Sequence, residues 1–132
     1  MAKRKKLLVT GAGGFLGWNL CRAAADRYDL IGVAHHRPVA VPGGTAYRCD
    51  LSDATAVEMM FNNVAPDAVV HGAAMANPND CERQPDASRS INVDASLQIA
   101  ECCSRRRIPC VFISTDLVFD GRNPPYSEIS TP

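Results

Sequence analysis

The sequence predicts an α/β protein built on a doubly wound parallel sheet, and three observations predict it. Short apolar runs alternate with segments of helical periodicity along the chain, which is the pattern of buried parallel strands joined by crossover helices. A glycine-rich turn at residues 10–17 follows the first apolar run and opens the first helical segment. The length of 132 residues fits one domain over residues 1–132. Right-handed crossovers then favour a Rossmann-type sheet of five strands in the order 3-2-1-4-5.

The first strand covers residues 6–10, and the turn after it places glycine at positions 11, 14 and 17. Gly11 allows the tight turn, Gly14 lets a phosphate approach the backbone, and Gly17 lets the helix pack close to the sheet. Free N–H groups at the start of this helix, at Phe15 and Leu16, would face a diphosphate. A glycine turn used only for packing is the alternative, and the strand–turn–helix context disfavours it.

The remaining elements alternate in the same way. The first helix is predicted from residue 15 to about residue 27, with Leu16, Leu20 and Ala24 on one face. Strands are predicted at residues 30–34, 46–49, 67–71 and 110–114, and helices at 53–63 and 86–106. Residues 77–85 are predicted to form a loop, and residues 115–132 show no clear element.

Two periodic stripes support the second and third helices. Ser52 or Asp53 can cap the second helix, and its apolar positions and those of the third helix follow helical spacing. The stripes are Val57, Met60, Phe61 and Val64, and then Ala87, Ile91, Ala95, Ile99 and Cys103. Arg105, Arg106 and Arg107 lie where a helix C-terminus favours cations, although an anion-binding patch is the alternative.

Composition excludes several classes of function. Fourteen basic residues balance fourteen acidic ones, so the net charge does not favour binding to nucleic acid or to a membrane surface. No apolar segment is long enough to span a bilayer and no signal-peptide pattern is present, which predicts a cytoplasmic protein. The six cysteines include no Cys-x-x-Cys pair, so we expect reduced thiols and no metal site.

Several strings of residues resemble the extended short-chain dehydrogenase/reductases, and within them the dTDP-4-dehydrorhamnose reductase group. That group includes sugar-nucleotide reductases and the non-catalytic beta subunit of methionine adenosyltransferase. The matching strings are residues 10–17, Asp50-Leu51, 66–74, Asn92-Val93, 114–121 and 125–128. The string at 114–121, Ser-Thr-Asp-Leu-Val-Phe-Asp-Gly, is specific to this branch, whereas the glycine motif is not.

The resemblance implies a role for each matching residue. Asp50 would accept a hydrogen bond from the adenine amino group, or alternatively cap the following helix, and Leu51 would pack on the ring. Gly72, Ala73 and Ala74 would line the path of the ribose and nicotinamide. Asn92 would hold the active-site backbone or a water near the cofactor, with a helix-surface amide as the alternative.

Two residues of the specific string would act on the substrate. Thr115 would hydrogen-bond the substrate carbonyl or a catalytic tyrosine, or alternatively satisfy local backbone. Asp116 would orient the substrate sugar or a loop.

The implied reaction is hydride transfer from a reduced nicotinamide to the keto carbon of a nucleotide sugar. In the family a Tyr-x-x-x-Lys pair supplies the acid, since the lysine lowers the pKa of the tyrosine. No lysine follows Lys6 in this sequence, and Tyr126 does not fit the motif. We therefore expect the family's substrate domain to be absent and the chain alone to be inactive. An epimerase or dehydratase, and a regulatory module that binds NADP without catalysis, are the alternatives.

The end of the second strand indicates which cofactor binds. NAD-binding relatives often carry an acidic residue there that holds the ribose 2′-hydroxyl, but this sequence has His35-His36-Arg37. Arg37, with His36 beside it, could pair with a 2′-phosphate. NADP is therefore favoured over NAD, and a solvated Arg37 that allows both is the alternative.

An exposed fifth strand is a further expectation. If the later strands of the family are absent, residues 110–114 form an open apolar edge. Self-association through this edge is expected.

Overall fold

The computed structural model describes residues 3–132, and its centre is a five-stranded parallel sheet. The order is β3-β2-β1-β4-β5, which confirms the predicted topology. Strand β1 is central and pairs with both β2 and β4, so that Leu8 lies opposite Ile31 on one side and Val69 on the other. The strands are β1 Lys6–Thr10, β2 Asp29–Ala34, β3 Gly44–Arg48, β4 Ala68–His71 and β5 Cys110–Phe112.

Helices cover both faces of the sheet, because alternate residues of β1 point to opposite sides. Leu8 belongs to the larger core with α2 and α5, whereas Leu7 and Val9 belong to the smaller core with α1. The helices are α1 Phe15–Ala24, α2 Ala54–Val64, α3 Pro78–Arg83, α4 Pro85–Arg89 and α5 Ala95–Arg106. A π-helical turn, Ser90–Asp94, joins α4 to α5, and a 3₁₀ turn spans Asp116–Val118.

Helix α1 is shorter than predicted, and its buried face differs. It ends at Ala24, and its buried residues are Gly17, Cys21 and Ala24. Leu16 is 52% exposed. Gly17 packs against the turn on the buried face of the helix, and Leu16, the residue before it, faces outward.

The segment predicted as a loop at residues 77–85 contains helix α3. The side chain of Asn77 caps it by accepting hydrogen bonds from the backbone N–H groups of Asn79 and Asp80, and Pro78 occupies the first turn. An asparagine cap followed by proline favours a helix start, so the sequence carried a local signal for this helix.

The helix predicted at residues 86–106 is interrupted by the π-helical turn. The extra residue in such a turn changes the angular phase of the side chains. Ala87 is therefore exposed, whereas Ala95, Ile99 and Cys103 are buried as the stripe predicted and Cys102 joins them.

Helix α2 begins and ends with specific contacts. The Asp53 carboxylate caps its N-terminus and accepts from the backbone N–H groups of Thr55 and Ala56. The Lys6 ammonium donates to the Val64 carbonyl at 2.9 Å. Asp50, the alternative cap, instead accepts from the backbone N–H of Ser52 at 2.9 Å. The interpretation of Asp50 as the N-cap of α2 is therefore wrong, because Asp53 is the cap.

Helices α2 and α5 are joined by an ionic cluster. Glu58 accepts hydrogen bonds from Arg105 at 2.6 Å and from Arg106 at 2.5 Å. These arginines lie in the last turn of α5, as predicted, and they bind a carboxylate of the neighbouring helix rather than a free anion.

Within residues 3–132, no helix is long and apolar enough to cross a membrane. The same residues contain no cluster of three or more potential metal ligands. All six cysteines are free thiols.

Candidate functional site

The glycine turn packs directly against the end of β4. Gly11 has a φ of +70°, and a side chain there would place its Cβ 2.7 Å from the Gly72 carbonyl oxygen. The Gly14 N–H donates to the Gly11 carbonyl at 3.0 Å and closes the turn. A Cβ on Gly17 would lie 2.2 Å from the same carbonyl. Glycine is therefore required at positions 11 and 17 by close backbone contacts, and at position 11 also by its dihedral angle.

The N-terminus of α1 opens into a cavity of about 700 Å³, which we call the first cavity. Gly14 is the cap residue and makes no side-chain hydrogen bond to the helix. Free N–H groups of the first helical turn and the positive end of the helix dipole therefore remain available for an anion. Phe15 is 88% exposed at the start of this helix.

The first cavity follows the carboxyl ends of β1, β2 and β4, where ligands bind in doubly wound sheets. Ten of the predicted site residues line it: Gly11, Gly14, Phe15, Leu16, Gly17, Arg37, Leu51, Gly72, Ala73 and Ala74. Val39 and Ile91 line it as well and were not predicted. His36, Asp50, Asn92, Thr115 and Asp116 do not line it.

The end of β2 carries a cluster of basic and acidic groups. The His35 Nε2 atom lies 3.3 Å from an Asp50 carboxylate oxygen, and the rings of His35 and His36 are 3.5 Å apart between centroids. The hydroxyl and backbone N–H of Ser52 hold the pKa of the Asp50 carboxyl below its usual range. Arg37 makes no ion pair with another residue of the described range 3–132, so its charge can meet a ligand.

Asn92 lies in the π-helical turn and holds the backbone beyond β4. Its side-chain oxygen accepts from the Met75 N–H at 2.8 Å, and its side-chain nitrogen donates to the Met75 carbonyl at 3.1 Å. This paired contact fixes the segment after Ala74. The geometry fits the predicted hold on backbone, and the amide lines a second cavity instead of the first.

The second cavity, of about 600 Å³, continues the first toward β5. The two share Gly72, Ala73 and Ala74, so one trough runs along the carboxyl ends of the strands. Thr115 lines the second cavity. Its hydroxyl accepts from the Leu117 N–H at 3.2 Å and donates its proton to the Asp116 carboxylate at 3.3 Å. Asp116 is exposed and lies outside the lining.

A polar network at the ends of β1 and β4 was not predicted from the sequence, and one of its members, Ser96, lines the second cavity. Thr10, His71 and Ser96 are linked by hydrogen bonds of 2.6 and 2.9 Å. The available signal was a polar residue at the last position of two apolar strands, β1 and β4.

Comparison with known proteins supports the resemblance. Residues 5–132 match the protein family described as the RmlD substrate binding domain. The beta subunit of methionine adenosyltransferase 2 from Danio rerio is 36% identical over 129 residues, which cover 97% of this chain and 38% of that protein. The chain thus spans well under half of the curated relatives that it matches.

Comparison with solved structures supports the same family. A hypothetical dTDP-4-dehydrorhamnose reductase from Sulfolobus tokodaii superposes with a TM-score of 0.87 at 33% identity, covering 96% of this chain and 45% of that one. The dTDP-4-dehydrorhamnose reductase from Bacillus anthracis, solved in complex with NADP, shares the fold with a TM-score of 0.77 at 23% identity, over 94% of this chain and 41% of that one. The resemblance to extended short-chain dehydrogenase/reductases is thereby confirmed, and the chain belongs to the RmlD substrate binding domain family.

Proposed function

We propose that this chain binds NADP or NAD as the nucleotide-binding part of a sugar-nucleotide oxidoreductase. The observation that carries the proposal is the first cavity, where the glycine turn and the uncapped start of α1 face the Gly72–Ala73 backbone. A dinucleotide would place its diphosphate at this helix start. Its nicotinamide would extend along the shared trough toward the second cavity.

The charges at the end of β2 favour NADP. Arg37 lines the first cavity, and no acidic residue follows β2 directly, since the next three residues are His35, His36 and Arg37. A guanidinium can bind a 2′-phosphate through charge-assisted hydrogen bonds. Asp50, beside His35, would be left to meet the adenine amino group.

The test is a titration of the purified chain with NADPH and NADH, followed by cofactor fluorescence. In Arg37→Ala we expect affinity for NADPH to fall about tenfold and affinity for NADH to change little, because one charged hydrogen bond is lost. Arg122→Ala removes an exposed arginine that lines neither cavity and serves as the matched control. An unchanged NADPH-to-NADH ratio in Arg37→Ala would refute the NADP preference.

The reaction class follows from the family resemblance and from Thr115. The bound cofactor would supply a hydride to the keto carbon of a nucleotide sugar. Thr115 at the second cavity would hold the substrate carbonyl by a hydrogen bond from its hydroxyl, whose proton now points to Asp116 and would turn to the substrate. Within this sequence no lysine follows Lys6, so the Tyr-x-x-x-Lys acid is not supplied here. We expect cofactor binding without oxidation of NADPH when a dTDP-4-keto-6-deoxy sugar is added, and rapid turnover would contradict this.

A regulatory module that binds NADP without catalysis is the second candidate. The 36% identity to a methionine adenosyltransferase 2 beta subunit favours it. Cofactor binding together with a changed activity of a methionine adenosyltransferase catalytic subunit would support this candidate over the reductase.

A further inference from the structure

A polar network joins the last residues of two neighbouring strands to helix α5, whose Ser96 lines the second cavity. Thr10 ends β1, His71 ends β4, and Ser96 lies in the first turn of α5. His71 is 2% exposed. Every side-chain polar atom buried in residues 3–132 has a hydrogen-bond partner, so the protons of this network can be assigned one by one.

The Thr10 hydroxyl fixes one end of the imidazole. Its oxygen accepts from the backbone N–H groups of Gly72 and Ala73, both at 3.1 Å. A hydroxyl has two lone pairs and one proton, so its proton remains for the His71 Nδ1 atom, 2.6 Å away. Nδ1 is therefore the acceptor.

Ser96 fixes the other end independently. Its hydroxyl lies 2.8 Å from the Asn92 carbonyl, which can only accept, and therefore donates its proton there. The same oxygen must then accept from the His71 Nε2 atom at 2.9 Å. Both ends thus specify a neutral imidazole with its proton on Nε2.

The Gly72–Ala73 peptide that Thr10 holds is the floor of the trough. It lines both cavities, and it packs so closely on the glycine turn that a Cβ on Gly11 would lie 2.8 Å from the Ala73 nitrogen. A small movement of this peptide therefore acts directly on the turn that would hold the diphosphate.

We propose that His71 is a positioning residue for the nucleotide site: as the neutral Nε2–H tautomer it holds the Gly72–Ala73 floor against the glycine turn through Thr10, and protonation of its ring releases that floor. A proton on Nδ1 would point at a threonine oxygen whose lone pairs are both in use. One backbone hydrogen bond to Gly72 or Ala73 would then be displaced. The cofactor part of this inference rests on the proposed function.

Among residues 3–132, the side chains in contact with the His71 ring carry no charge. Thr10 from β1, Ser96 from α5 and Phe112 from β5 face its ring, and none of them titrates near neutral pH. Burial lowers the pKa of His71 from the ordinary value of 6.5. The stability that the neutral ring contributes is therefore complete above that ordinary value and is lost as pH falls from it toward the lowered pKa of the folded chain, because the unfolded chain binds the proton first. The floor geometry of the folded chain changes only as pH falls through that lowered pKa.

The first experiment uses a variant in which His71 is the only histidine. The chain has three histidines, so His35→Gln combined with His36→Gln leaves the ring signals of His71 alone. In ¹⁵N NMR spectra at about pH 7.5, well above the ordinary histidine pKa, we expect the His71 ring to carry a proton on Nε2 and none on Nδ1. A proton on Nδ1 would overturn the proposal.

The same sample then tests the link to the floor without any cofactor. As pH is lowered, we expect the amide signals of Gly72, Ala73 and Gly11 to shift with the midpoint of the His71 ring, and the Gly121 amide to serve as an unaffected reference. Amides of the floor that stay constant while the ring titrates would overturn the positioning role. This measurement leaves His71 itself unaltered, so it does not depend on whether a His71 variant folds.

The second experiment measures NADH affinity, since NADH lacks the 2′-phosphate that itself titrates near about pH 6. In the single-histidine variant we expect affinity to fall about tenfold with the ring midpoint, as for the loss of one hydrogen bond. His71→Asn in the same background keeps an acceptor for Thr10 and cannot be protonated, so its affinity should not depend on pH. An equal fall in His71→Asn would refute the proposal.

The two proposals fail differently. Absence of NADH and NADPH binding at about pH 7.5, well above the ordinary histidine pKa, would refute the proposed function. The amide titration would still decide whether His71 holds the floor.

Discussion

Gly17 and Gly14 lie in the same turn, yet the structure tolerates a side chain at these two positions very differently. A Cβ on Gly17 would meet the Gly11 carbonyl oxygen at 2.2 Å and the Ala12 Cα at 2.9 Å, both backbone atoms. A Cβ on Gly14 would meet only the Gly11 oxygen, at 3.3 Å. Backbone cannot move aside as a flexible side chain can, so position 17 is the stricter of the two.

We expect Gly17→Ala to lower the free energy of unfolding by about 1–3 kcal/mol, the usual range for overpacking, and to weaken NADPH binding. Gly14→Ala is the matched control, and its loss should stay within about 1 kcal/mol, typical of a change at a helix cap. Urea unfolding measures both variants. Equal losses at the two positions would contradict the close contact at Gly17.

Gly11 and Gly17 were predictable from sequence because only glycine satisfies both their spacing and their close backbone contacts. The pairing of His35 with Asp50 was not predictable, because it joins the ends of two strands whose side-chain directions depend on the folded sheet. The network of Thr10, His71 and Ser96 was hidden for the same reason, since its members are far apart in sequence.

At the scale of elements, one carboxylate joins two helices. Glu58 on α2 binds Arg105 and Arg106 on α5, and the Cys102 thiol also lies 3.3 Å from it. The hydrogen bond from Arg106, followed by that from Cys102, holds the pKa of the Glu58 carboxyl below its usual range. The stabilisation is therefore present above the ordinary glutamate pKa and is lost as pH falls through the lowered value.

We expect Glu58→Gln to be less stable than the unaltered chain near neutral pH, and to lose less stability on acidification to about pH 3, where ordinary carboxylates are protonated. Urea midpoints at the two pH values measure this. Glu101→Gln, on the same helix pair but without an ion pair among residues 3–132, is the control. Parallel pH profiles for Glu58→Gln and the unaltered chain would refute the role of this contact.

The helices were predictable where apolar spacing alone decides them. The stripe Val57, Met60, Phe61 and Val64 is buried as predicted. The π-helical turn was not predictable, because it depends on tertiary contacts such as that of Asn92 with the Met75 backbone. The helix propensity of individual residues carries no information about such tertiary contacts.

At the scale of the whole molecule, the sheet has one open apolar edge. In the part of the chain that the structure describes, strand β5 pairs with β4 only, and Val111 is 56% exposed. Unpaired backbone groups beside apolar side chains favour pairing with a second chain. The strand order that creates this edge was predictable from sequence. Apolar strands that alternate with helices and are joined by right-handed crossovers can form only a few sheet topologies.

We expect this chain to associate reversibly with itself, with a sedimentation coefficient that rises with protein concentration. Val111→Lys should shift the equilibrium toward the monomer, because a charge would then lie at the edge. Met59→Lys on α2, where the side chain is 53% exposed, is the matched control and should not alter association. A monomer at all concentrations for the unaltered chain would contradict this expectation.

The floor of the glycine turn also bears on how the protein is made. The backbone N–H groups that Thr10 holds lie 62 and 63 positions later in the chain, so β1 and its turn are synthesised long before β4. Closing so long a loop carries an entropic cost, which tends to delay such contacts relative to local ones. A nascent chain that stops before Gly72 would carry every glycine of the turn and still be unable to retain a nucleotide. A nucleotide site of the proposed kind would therefore be complete only after β2, β3 and β4 have been added to the growing chain.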